Sequence, residues 1–297
     1  MPVEEITASA AGSWNLGDRT VHRMGFGSMR LTTHPDRARA VRVLRRAVEL
    51  GVNHIDTAAF YVSPGGPLGV GTGSPRYAAD LIREALAPYP DDLVITTKVG
   101  PSFDEATRHR ELTPAELRRE VEANLRRLGR DHLDVVNLRI VRRPGQDSVA
   151  ERFGALAELR DAGLIRHLGL SNVRADHLDE AQDIAPVVCV QNGYALDLNR
   201  WADELLRVCG ERGVAFVPFF AIAGPGREAG GGGDHDDAVR AVAHAHGATP
   251  HQIRLAWTLH QGPHVLAIPG TGDPEHLAQN VAAGAIRLTP EELARLG

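Results

Sequence analysis

The sequence predicts an α/β fold, a (β/α)8 or TIM barrel with its active site at the C-terminal face of the strands. Apolar, β-branched segments of strand length alternate with amphipathic segments of helix length along the chain. The 297 residues are too few for two α/β domains but suit one barrel. Composition does not shift at any point to mark a linker, so we expect one domain over residues 1–297.

The first elements precede the alternation. Two short extended pieces around Gly17-Asp18 predict an N-terminal β-hairpin over Ser13–Arg23. Met24–Leu31 follows as the first barrel strand, and its glycines at 25 and 27 permit close approach of another backbone. The third glycine and the following helix of a dinucleotide-binding fingerprint are missing, so this segment does not predict a Rossmann fold.

Helix boundary signals support the remaining alternation. Thr113-Pro114-Ala115-Glu116 has the pattern of a capping box with proline at the first helical position, and Gly51 closes an earlier helix. The further predicted strands are 54–57, 93–100, 133–139, 167–172, 187–192, 214–220 and 265–269. The predicted helices are 36–50, 75–86, 113–129, 149–162, 175–184, 202–212, 237–246, 250–260 and 273–283.

Two long irregular segments, residues 62–74 and 223–234, each follow a predicted strand. Loops in this position lie at the C-terminal face of a barrel, where substrates bind. The second segment contains the run Gly230–Gly233. For that run, a substrate-binding loop and an insertion without a role both stay open.

Composition excludes several classes of function. The net charge of -5 and pI near 6.3, without a basic stripe, argue against a nucleic-acid partner. No apolar run is long enough to span a bilayer, and the first residues lack a secretory signal, so we expect a cytoplasmic protein without a membrane partner. Cys189 and Cys209 are expected to be buried thiols in a reducing compartment, and we expect neither a disulfide nor a metal site.

Three side chains at predicted strand ends carry the chemistry. Asp56 ends a short strand, Tyr61 lies on the loop after it, and Lys98 ends the next strand. A buried lysine needs a partner, which Asp56 can supply. An ammonium lowers the pKa of a neighbouring phenol from its usual value of about 10, while the carboxylate holds the ammonium in place. Each residue alone is more often structural, but together they predict a tyrosine that protonates a carbonyl oxygen as hydride arrives at carbon.

Further strand ends predict a nucleotide site. Ser171, Asn172 and Gln191 offer hydrogen bonds suited to a carboxamide, and Phe219 with Phe220 offers a flat face for a planar ring. After the last strand, residues 268–276 lead into a helix N-terminus, where barrels often bind phosphate. Asp273-Pro274 within that segment reads as an ordinary N-cap followed by proline at the first helical position.

These motifs together resemble the aldo-keto reductase family over nearly the whole chain. The matching segments are Gly51–Ala58 with Tyr61, Thr96–Gly100, Gly169–Asn172, Val190–Asn192 and Ile268–Thr271. Within the family, Leu133–Ile140, Cys189–Asn192 and Phe216–Phe220 are most similar to the bacterial pyridoxal reductase (pyridoxine-forming) branch.

The resemblance implies a set of roles. Tyr61 is the proton donor, assisted by Lys98 and Asp56, and the cofactor is NADPH, with NADH also open. Ser171, Asn172 and Gln191 hold the nicotinamide carboxamide, and Phe219 stacks on its ring. The other implied cofactor contacts are Gly27, Ser28, Gly270, Thr271, Gly272, His276, Gln279 and Asn280.

The chain also departs from the family pattern. Arg139 stands where most members of the family have a catalytic histidine. The pyridoxal reductase branch also has arginine at this position. An arginine can polarise a carbonyl or favour a phenolate but cannot shuttle a proton. A salt bridge across the barrel mouth is the alternative role. The longer loop after Tyr61, Ala221–Ala223 and Gly272-Asp273 leave open both the pyridoxal substrate and the preference for a 2′-phosphate.

The sequence therefore predicts an NADPH-dependent reductase of an aldehyde or ketone, with pyridoxal as the first candidate substrate. A reductase of a specialised-metabolite carbonyl or imine is one alternative. A non-catalytic nucleotide-binding redox sensor or regulatory subunit is another. The small-molecule partner is a carbonyl compound, and the oligomeric state stays open.

Overall fold

The computed structural model describes residues 5–103, 110–141, 147–198, 202–222 and 237–297. Its strands are β1 (Ser13–Leu16), β2 (Arg19–His22), β3 (Phe26–Gly27), β4 (His54–Asp56), β5 (Val62–Ser63), β6 (Arg76–Tyr77), β7 (Val94–Val99), β8 (Leu133–Arg139), β9 (Ile165–Ser171), β10 (Val187–Gln191) and β11 (Ala215–Phe216). Its α-helices are α1 (Arg37–Glu49), α2 (Ala78–Leu86), α3 (Pro114–Leu128), α4 (Ala150–Asp161), α5 (Ala175–Gln182), α6 (Asp203–Glu211), α7 (Asp237–Ala245), α8 (Pro250–His260), α9 (Pro274–Ala282) and α10 (Pro290–Leu296). Short 3-10 helices occupy Ala8–Ala11, Met29–Thr32 and Ala283–Ala285.

A seven-stranded sheet in the order β11-β10-β9-β8-β7-β4-β3 forms the centre of the molecule. Every neighbouring pair in it is parallel. The register aligns Asp56 with Gly27 on one side. It also aligns Ser171 with both Arg139 and Gln191. The carboxyl ends of several strands are therefore at one level, which is where the polar residues were predicted to meet.

The predicted eighth strand, 265–269, links the two edges of this sheet. Ala267 forms a parallel bridge with Met24 beside β3, and Val265 forms one with Phe216 of β11. The backbone N–H of Gly25 donates to Ala267 O at 2.8 Å, and that of Leu266 donates to Phe216 O at 2.9 Å. The segment thus pairs on both sides, as the (β/α)8 architecture requires, although through isolated bridges.

The predicted N-terminal hairpin is present, because β1 and β2 pair antiparallel. Leu16 and Val21 of the hairpin are fully buried and belong to one cluster with Val94, at the start of β7, and Val135 of β8. The hairpin therefore covers the side where the strands begin. The opposite side is left for the strand ends.

Three predicted boundaries are wrong for local reasons. The first barrel strand does not extend to residue 31, because the N–H of Leu31 donates to Ser28 O and the backbone turns into a 3-10 helix. Helix α2 begins at Ala78 and not at residue 75, because Arg76–Tyr77 pairs with Val62–Ser63 as an antiparallel hairpin. The seventh barrel strand, expected over 214–220, is reduced to Ala215–Phe216 with one further bridge at Phe219.

The hairpin of β5 and β6 encloses residues 64–75, most of which are exposed. Its base is tied to the neighbouring 3-10 helix, where the hydroxyls of Ser63 and Thr32 are 2.9 Å apart and Arg76 Nε donates to Thr32 O at 3.0 Å. The first long loop is thus anchored at both ends. The second, 223–234, lies outside the described residues.

Both cysteines are buried and free. Burial raises the pKa of Cys189 and of Cys209 to about 12. Within the described ranges, no helix has the length and apolar character needed to cross a membrane.

Candidate active site

The structure brings Asp56, Lys98 and Tyr61 together at the carboxyl ends of β4 and β7. Lys98 Nζ donates to Asp56 Oδ2 at 2.6 Å and to Tyr61 OH at 3.1 Å. Its third contact is the carbonyl of Thr57 at 2.9 Å, so all three ammonium protons have acceptors. The side chains of Lys98 and Asp56 are each only 2% exposed. This is a buried ion pair in direct contact with a phenol.

Backbone hydrogen bonds fix the segment that carries Tyr61. The N–H of Ala59 donates to Lys98 O at 2.9 Å, which ties this segment to β7. The N–H of Ala78, at the start of α2, donates to Tyr61 O at 2.9 Å. The Phe60 ring meets the Tyr61 ring edge-on, with centroids 5.5 Å apart. The hydroxyl position is therefore set by both sheet and helix.

Burial raises the pKa of Tyr61 above its ordinary value. The charge of Lys98 lowers that pKa, as do the hydrogen bond from Lys98 and the charge of Arg139, whereas the charge of Asp56 raises it. The net direction is upward, so the expectation of a net lowering by the ammonium is wrong. The reason is that desolvation and Asp56 together outweigh the cations. Burial also lowers the pKa of Lys98, but Asp56 and Tyr61 raise it by more. At neutral pH the site therefore holds a protonated phenol beside an ammonium.

Gln191, at the end of β10, reaches across to the same carboxylate. Its Nε2 donates to Asp56 Oδ1 at 2.7 Å, so both oxygens of Asp56 are engaged. The Gln191 Oε1 atom is buried and has no hydrogen-bond partner among the described residues. Sequence reasoning assigned Gln191 to a cofactor and missed the contact with Asp56. No sequence signal points to it, because β4 and β10 are not neighbours in the sheet.

Arg139 ends β8 and points its guanidinium into the same region. Nη1 donates to Ser171 Oγ at 3.0 Å, and Cζ lies 4.7 Å from the centroid of the Phe219 ring. Burial lowers the pKa of Arg139, and the charges of Tyr61 and Asp56 oppose that change. Among the described residues, no carboxylate lies within ion-pair distance of this guanidinium, so the alternative of a salt bridge across the barrel mouth is wrong for that part of the chain.

A cavity of about 140 Å³ opens directly above these groups. Its polar lining consists of Arg30, Asp56, Tyr61 and Arg139. The remaining lining residues are Gly27, Met29, Phe60, Pro67, Phe103, Phe219, Phe220, Ile268 and Gly270. Aromatic walls with one phenol and two guanidinium groups suit a small planar molecule that presents oxygen atoms.

Of the residues predicted to hold a nicotinamide, Phe219 lines this cavity, and Gln191 contacts Asp56, which also lines it. The unpartnered, buried Oε1 of Gln191 is an acceptor suited to the N–H of a carboxamide. Asn172 adopts a left-handed backbone (φ 62°), and its Nδ2 donates to Ile140 O at 2.9 Å. Ser171 Oγ is already an acceptor for Arg139, and the buried Ser28 Oγ has no partner among the described residues. This donor and acceptor set fits the group.

Gly27 and Gly270 have a structural requirement of their own. A Cβ on Gly27 would lie 2.6 Å from Ile268 O, and one on Gly270 would lie 2.5 Å from Gly27 O. Two strand ends therefore pass at a distance that only glycine allows.

At the predicted phosphate end, Asp273 caps α9 as expected. Its Oδ1 accepts from the N–H groups of Glu275 at 2.8 Å and His276 at 3.4 Å, and its own N–H donates to Thr271 Oγ1 at 3.1 Å. Amides predicted to face a phosphate are thus engaged by a carboxylate of the chain itself. Arg39 of α1, which sequence reasoning missed, donates to Gly272 O and has Nη2 3.4 Å from Asp273 Oδ2.

The other predicted residues of this end lie on α9. His276 is exposed on its first turn, and Asn280 is buried. The carbonyl of Gln279 accepts from Gln252 Nε2 at 2.9 Å. In the described ranges, no group of three or more His, Cys, Asp or Glu side chains could hold a metal ion.

Comparison with known proteins gives consistent results. Residues 23–297 match the sequence profile of the aldo/keto reductase family. The chain is 40% identical to pyridoxine 4-dehydrogenase of Escherichia coli (strain K12), over 97% of this chain and 98% of that protein. An uncharacterized oxidoreductase of Schizosaccharomyces pombe is 36% identical over 98% of this chain and 90% of its own length.

Solved structures are similar as well. A thermostable aldo-keto reductase, Tm1743, in complex with the inhibitor epalrestat has a TM-score of 0.76 and 32% identity, covering 96% of this chain and 98% of its own. An aldo/keto reductase from Klebsiella pneumoniae in complex with NADP and acetate has a TM-score of 0.73 and 29% identity, with 93% and 90% coverage.

Proposed function

The chain belongs to the aldo/keto reductase family, and from that premise we propose that it is an NADPH-dependent reductase that converts an aldehyde or ketone to an alcohol. The observation that carries the proposal is the continuous contact from Tyr61 OH through Lys98 Nζ to Asp56, at 3.1 and 2.6 Å, beneath a cavity lined by aromatic rings. A pyridoxal-like aldehyde is the first candidate substrate, in line with the name of the Escherichia coli relative.

The residues divide the work of carbonyl reduction. The cofactor, when bound, supplies the hydride. Tyr61 gives its proton to the carbonyl oxygen as that oxygen becomes negative, and its raised pKa keeps the phenol protonated until then. Lys98 and Arg139 stabilise the phenolate that remains, because both cations act on the Tyr61 hydroxyl. Asp56, held by Lys98 and Gln191, fixes the position of the ammonium.

The cofactor assignment rests on the donor and acceptor set described above. Gln191 Oε1, Ser171 and Asn172 would hold the carboxamide, and Phe219 would face the ring. Gly27, Ser28, Gly270, Thr271, Gly272, His276, Gln279 and Asn280 complete the proposed contacts. NADPH is favoured because a structural relative was crystallised with NADP and because Arg39 adds a cation near the phosphate end.

Three further properties, the architecture, the domain organisation and the cellular location, accompany this proposal. The sheet, with residues 265–267 pairing at both edges, supports a closed (β/α)8 barrel. We take it to be one domain over residues 1–297. The two free, buried thiols are consistent with a cytoplasmic enzyme.

The test follows loss of reduced-nicotinamide absorbance with a panel of aldehydes and ketones, pyridoxal first, using NADPH and NADH separately. Tyr61→Phe should lower turnover by roughly 10²- to 10⁴-fold, the usual contribution of positioned acid catalysis, while NADPH still binds with parental affinity. Unchanged turnover in this variant would end the proposal. Lys98→Met should in addition raise the apparent pKa of the catalytic acid, which the alkaline limb of the pH–rate profile reports, because an ammonium that favours phenolate is removed.

Arg139 in the histidine position keeps a non-catalytic nucleotide sensor as the second candidate. The same assay separates the two. NADPH binding without oxidation across the whole panel favours the sensor. Oxidation restricted to larger carbonyls or imines favours a role on specialised metabolites.

A further inference from the structure

A second cavity, of about 630 Å³, lies behind the aromatic wall of the substrate cavity. The side chains of Phe60 and Phe103 line both cavities, and their ring centroids are 5.0 Å apart. The second cavity is enclosed by the hairpin of β5 and β6, the segment after β7 and helix α3. Within the described part of the chain, its lining includes none of the residues assigned to proton transfer or to the cofactor.

Glu120, on α3, lines this second cavity with a partly buried carboxyl group. Its Oε2 accepts from the Gly100 N–H at 3.2 Å, and no cation among the described residues lies within ion-pair distance of it. Burial raises the pKa of Glu120 to about 7, the Gly100 hydrogen bond opposes that change, and the charge of Glu116 adds to it. A carboxylate that is partly removed from water is costly unless a counter-ion compensates for it.

Cations do line the same cavity, but they contact a different carboxylate. Arg110 donates to both oxygens of Glu116, at 2.7 and 2.8 Å. Arg119 Nη2 also has Glu116 as its ion-pair partner, at 4.0 Å. Glu120 is therefore the carboxylate of this lining that a ligand cation can pair with.

The walls around Glu120 are aromatic and apolar. Phe103 and Leu112 contribute to them, and so does the ring of Tyr77. The guanidinium carbon of Arg127 lies 3.3 Å from the centroid of that ring, and its charge is balanced by Asp80 at 3.0 Å. Walls of this kind bind flat apolar groups and also attract ligand cations.

We propose that the second cavity binds an amine cation attached to an aromatic or apolar body, and that the Glu120 carboxylate is the counter-ion of the ammonium group. The body would pack against Phe60 and Phe103 from the side opposite to the carbonyl substrate. The inference goes beyond the proposed function and does not rest on it, because the two cavities share only this wall.

The test measures calorimetric binding of phenethylamine to the protein with NADP at two pH values. The amine stays protonated at both, because an alkylammonium has a pKa of about 10. With a pKa of about 7 for Glu120, about one tenth of this group is ionised near pH 6 and about nine tenths near pH 8. The affinity should therefore rise about tenfold between the two. The uncharged N-acetyl derivative should show no such rise.

Glu120→Gln keeps an acceptor for the Gly100 N–H but cannot ionise. It should weaken phenethylamine binding near pH 8 by at least about tenfold, because a charge-assisted contact is lost, and it should abolish the rise with pH. Glu116→Gln is the matched control, since it removes a carboxylate from the same helix and the same lining while glutamine keeps the capping box. It should retain the rise, displaced slightly to lower pH, because the Glu116 charge no longer raises the pKa of Glu120.

Several results would overturn the proposal. Equal affinity at both pH values in the parent would do so, as would a rise that persists in Glu120→Gln. An equal loss in Glu116→Gln and Glu120→Gln would show a general negative field in place of a specific contact. Ala123→Leu narrows the cavity from the side of α3 and should weaken binding at both pH values, so full affinity in this variant would locate the amine elsewhere. Turnover is not a readout in any of these measurements, so failure of the reductase proposal would leave their outcome unchanged.

Discussion

Replacing Lys98 by methionine should destabilise the protein in a way that depends on pH. The substitution preserves most of the side-chain volume but leaves the Asp56 carboxylate, 2% exposed, without its cation. Breaking a buried pair in this way typically costs about 3–5 kcal/mol. The carboxyl can escape that cost by taking up a proton. At a pH near 7, protonating a carboxyl with an unperturbed pKa of about 3.9 costs about 4 kcal/mol, which sets the ceiling.

The ceiling falls as the solution becomes more acidic. Each pH unit changes the free energy of that protonation by about 1.4 kcal/mol, so the loss should shrink by about 2.7 kcal/mol between pH of about 7 and about 5. The sign follows from linkage. The folded variant binds a proton that its unfolded chain does not bind at neutral pH, so its stability decreases as pH rises.

Urea denaturation of the cofactor-free protein, followed by tryptophan fluorescence, measures the effect at the two pH values. Arg37→Met is the control, because the Arg37–Glu84 pair is exposed, with side chains 47% and 46% accessible. It should cost less than about 1 kcal/mol at either pH. Adding Asp56→Asn to Lys98→Met should recover most of the loss at neutral pH. A Lys98→Met penalty that is equal at both pH values would refute this reasoning.

Three further predictions concern other groups. Burial lowers the pKa of His54 from 6.5 to about 4. The folded protein is therefore most stable, as far as this group is concerned, above about pH 6.5. It loses up to about 3 kcal/mol as the pH falls towards 4, because the unfolded chain takes up a proton that the buried imidazole does not. His54→Gln should flatten the urea midpoint across that window, and a parallel pH profile would contradict this. Asp273→Ser keeps the N-cap of α9 but removes a negative charge, so the NADPH-to-NADH ratio of kcat/KM should rise about fivefold. That factor corresponds to the ~1 kcal/mol of repulsion between two charges about 4 Å apart in water. An unchanged ratio would argue against a phosphate at this position. With a thiol pKa of about 12, Cys189 and Cys209 should react with a thiol reagent at mildly alkaline pH only in denaturant, and fast reaction of the native protein would disprove this.

The sequence predicted those features that depend on strand ends and short segments. Asp56 and Lys98 could be paired in advance because parallel strands end at one face, and Asp273 could be assigned as a cap from Asp-Pro alone. The hydrogen bond from Gln191 to Asp56 could not be predicted, since it depends on how far the sheet curves between β10 and β4. Arg39 was missed because its place beside Gly272 results from the packing of α1 on α9.

The pKa of Tyr61 shows a different limit. The cations near it are visible in the sequence as Lys98 and Arg139, and their effect has the expected sign. Desolvation depends on how completely the surrounding segments exclude water, which spacing does not encode. Two-residue strands such as β5 and β6 are hard to predict for a related reason, because they are too short to show a period.

Because the Tyr61 loop is anchored at its base, the position of the proton donor is structurally separate from the part of the loop that shapes the substrate cavity. The segment 64–75 protrudes between two strands that are fastened to the barrel, and Pro67 from it reaches the cavity lining. Its sequence and length can therefore change as a cassette, reshaping the roof over the substrate while the phenol stays where Ala78 and Ala59 hold its backbone. Grafting this cassette between relatives would transfer substrate range without disturbing proton transfer.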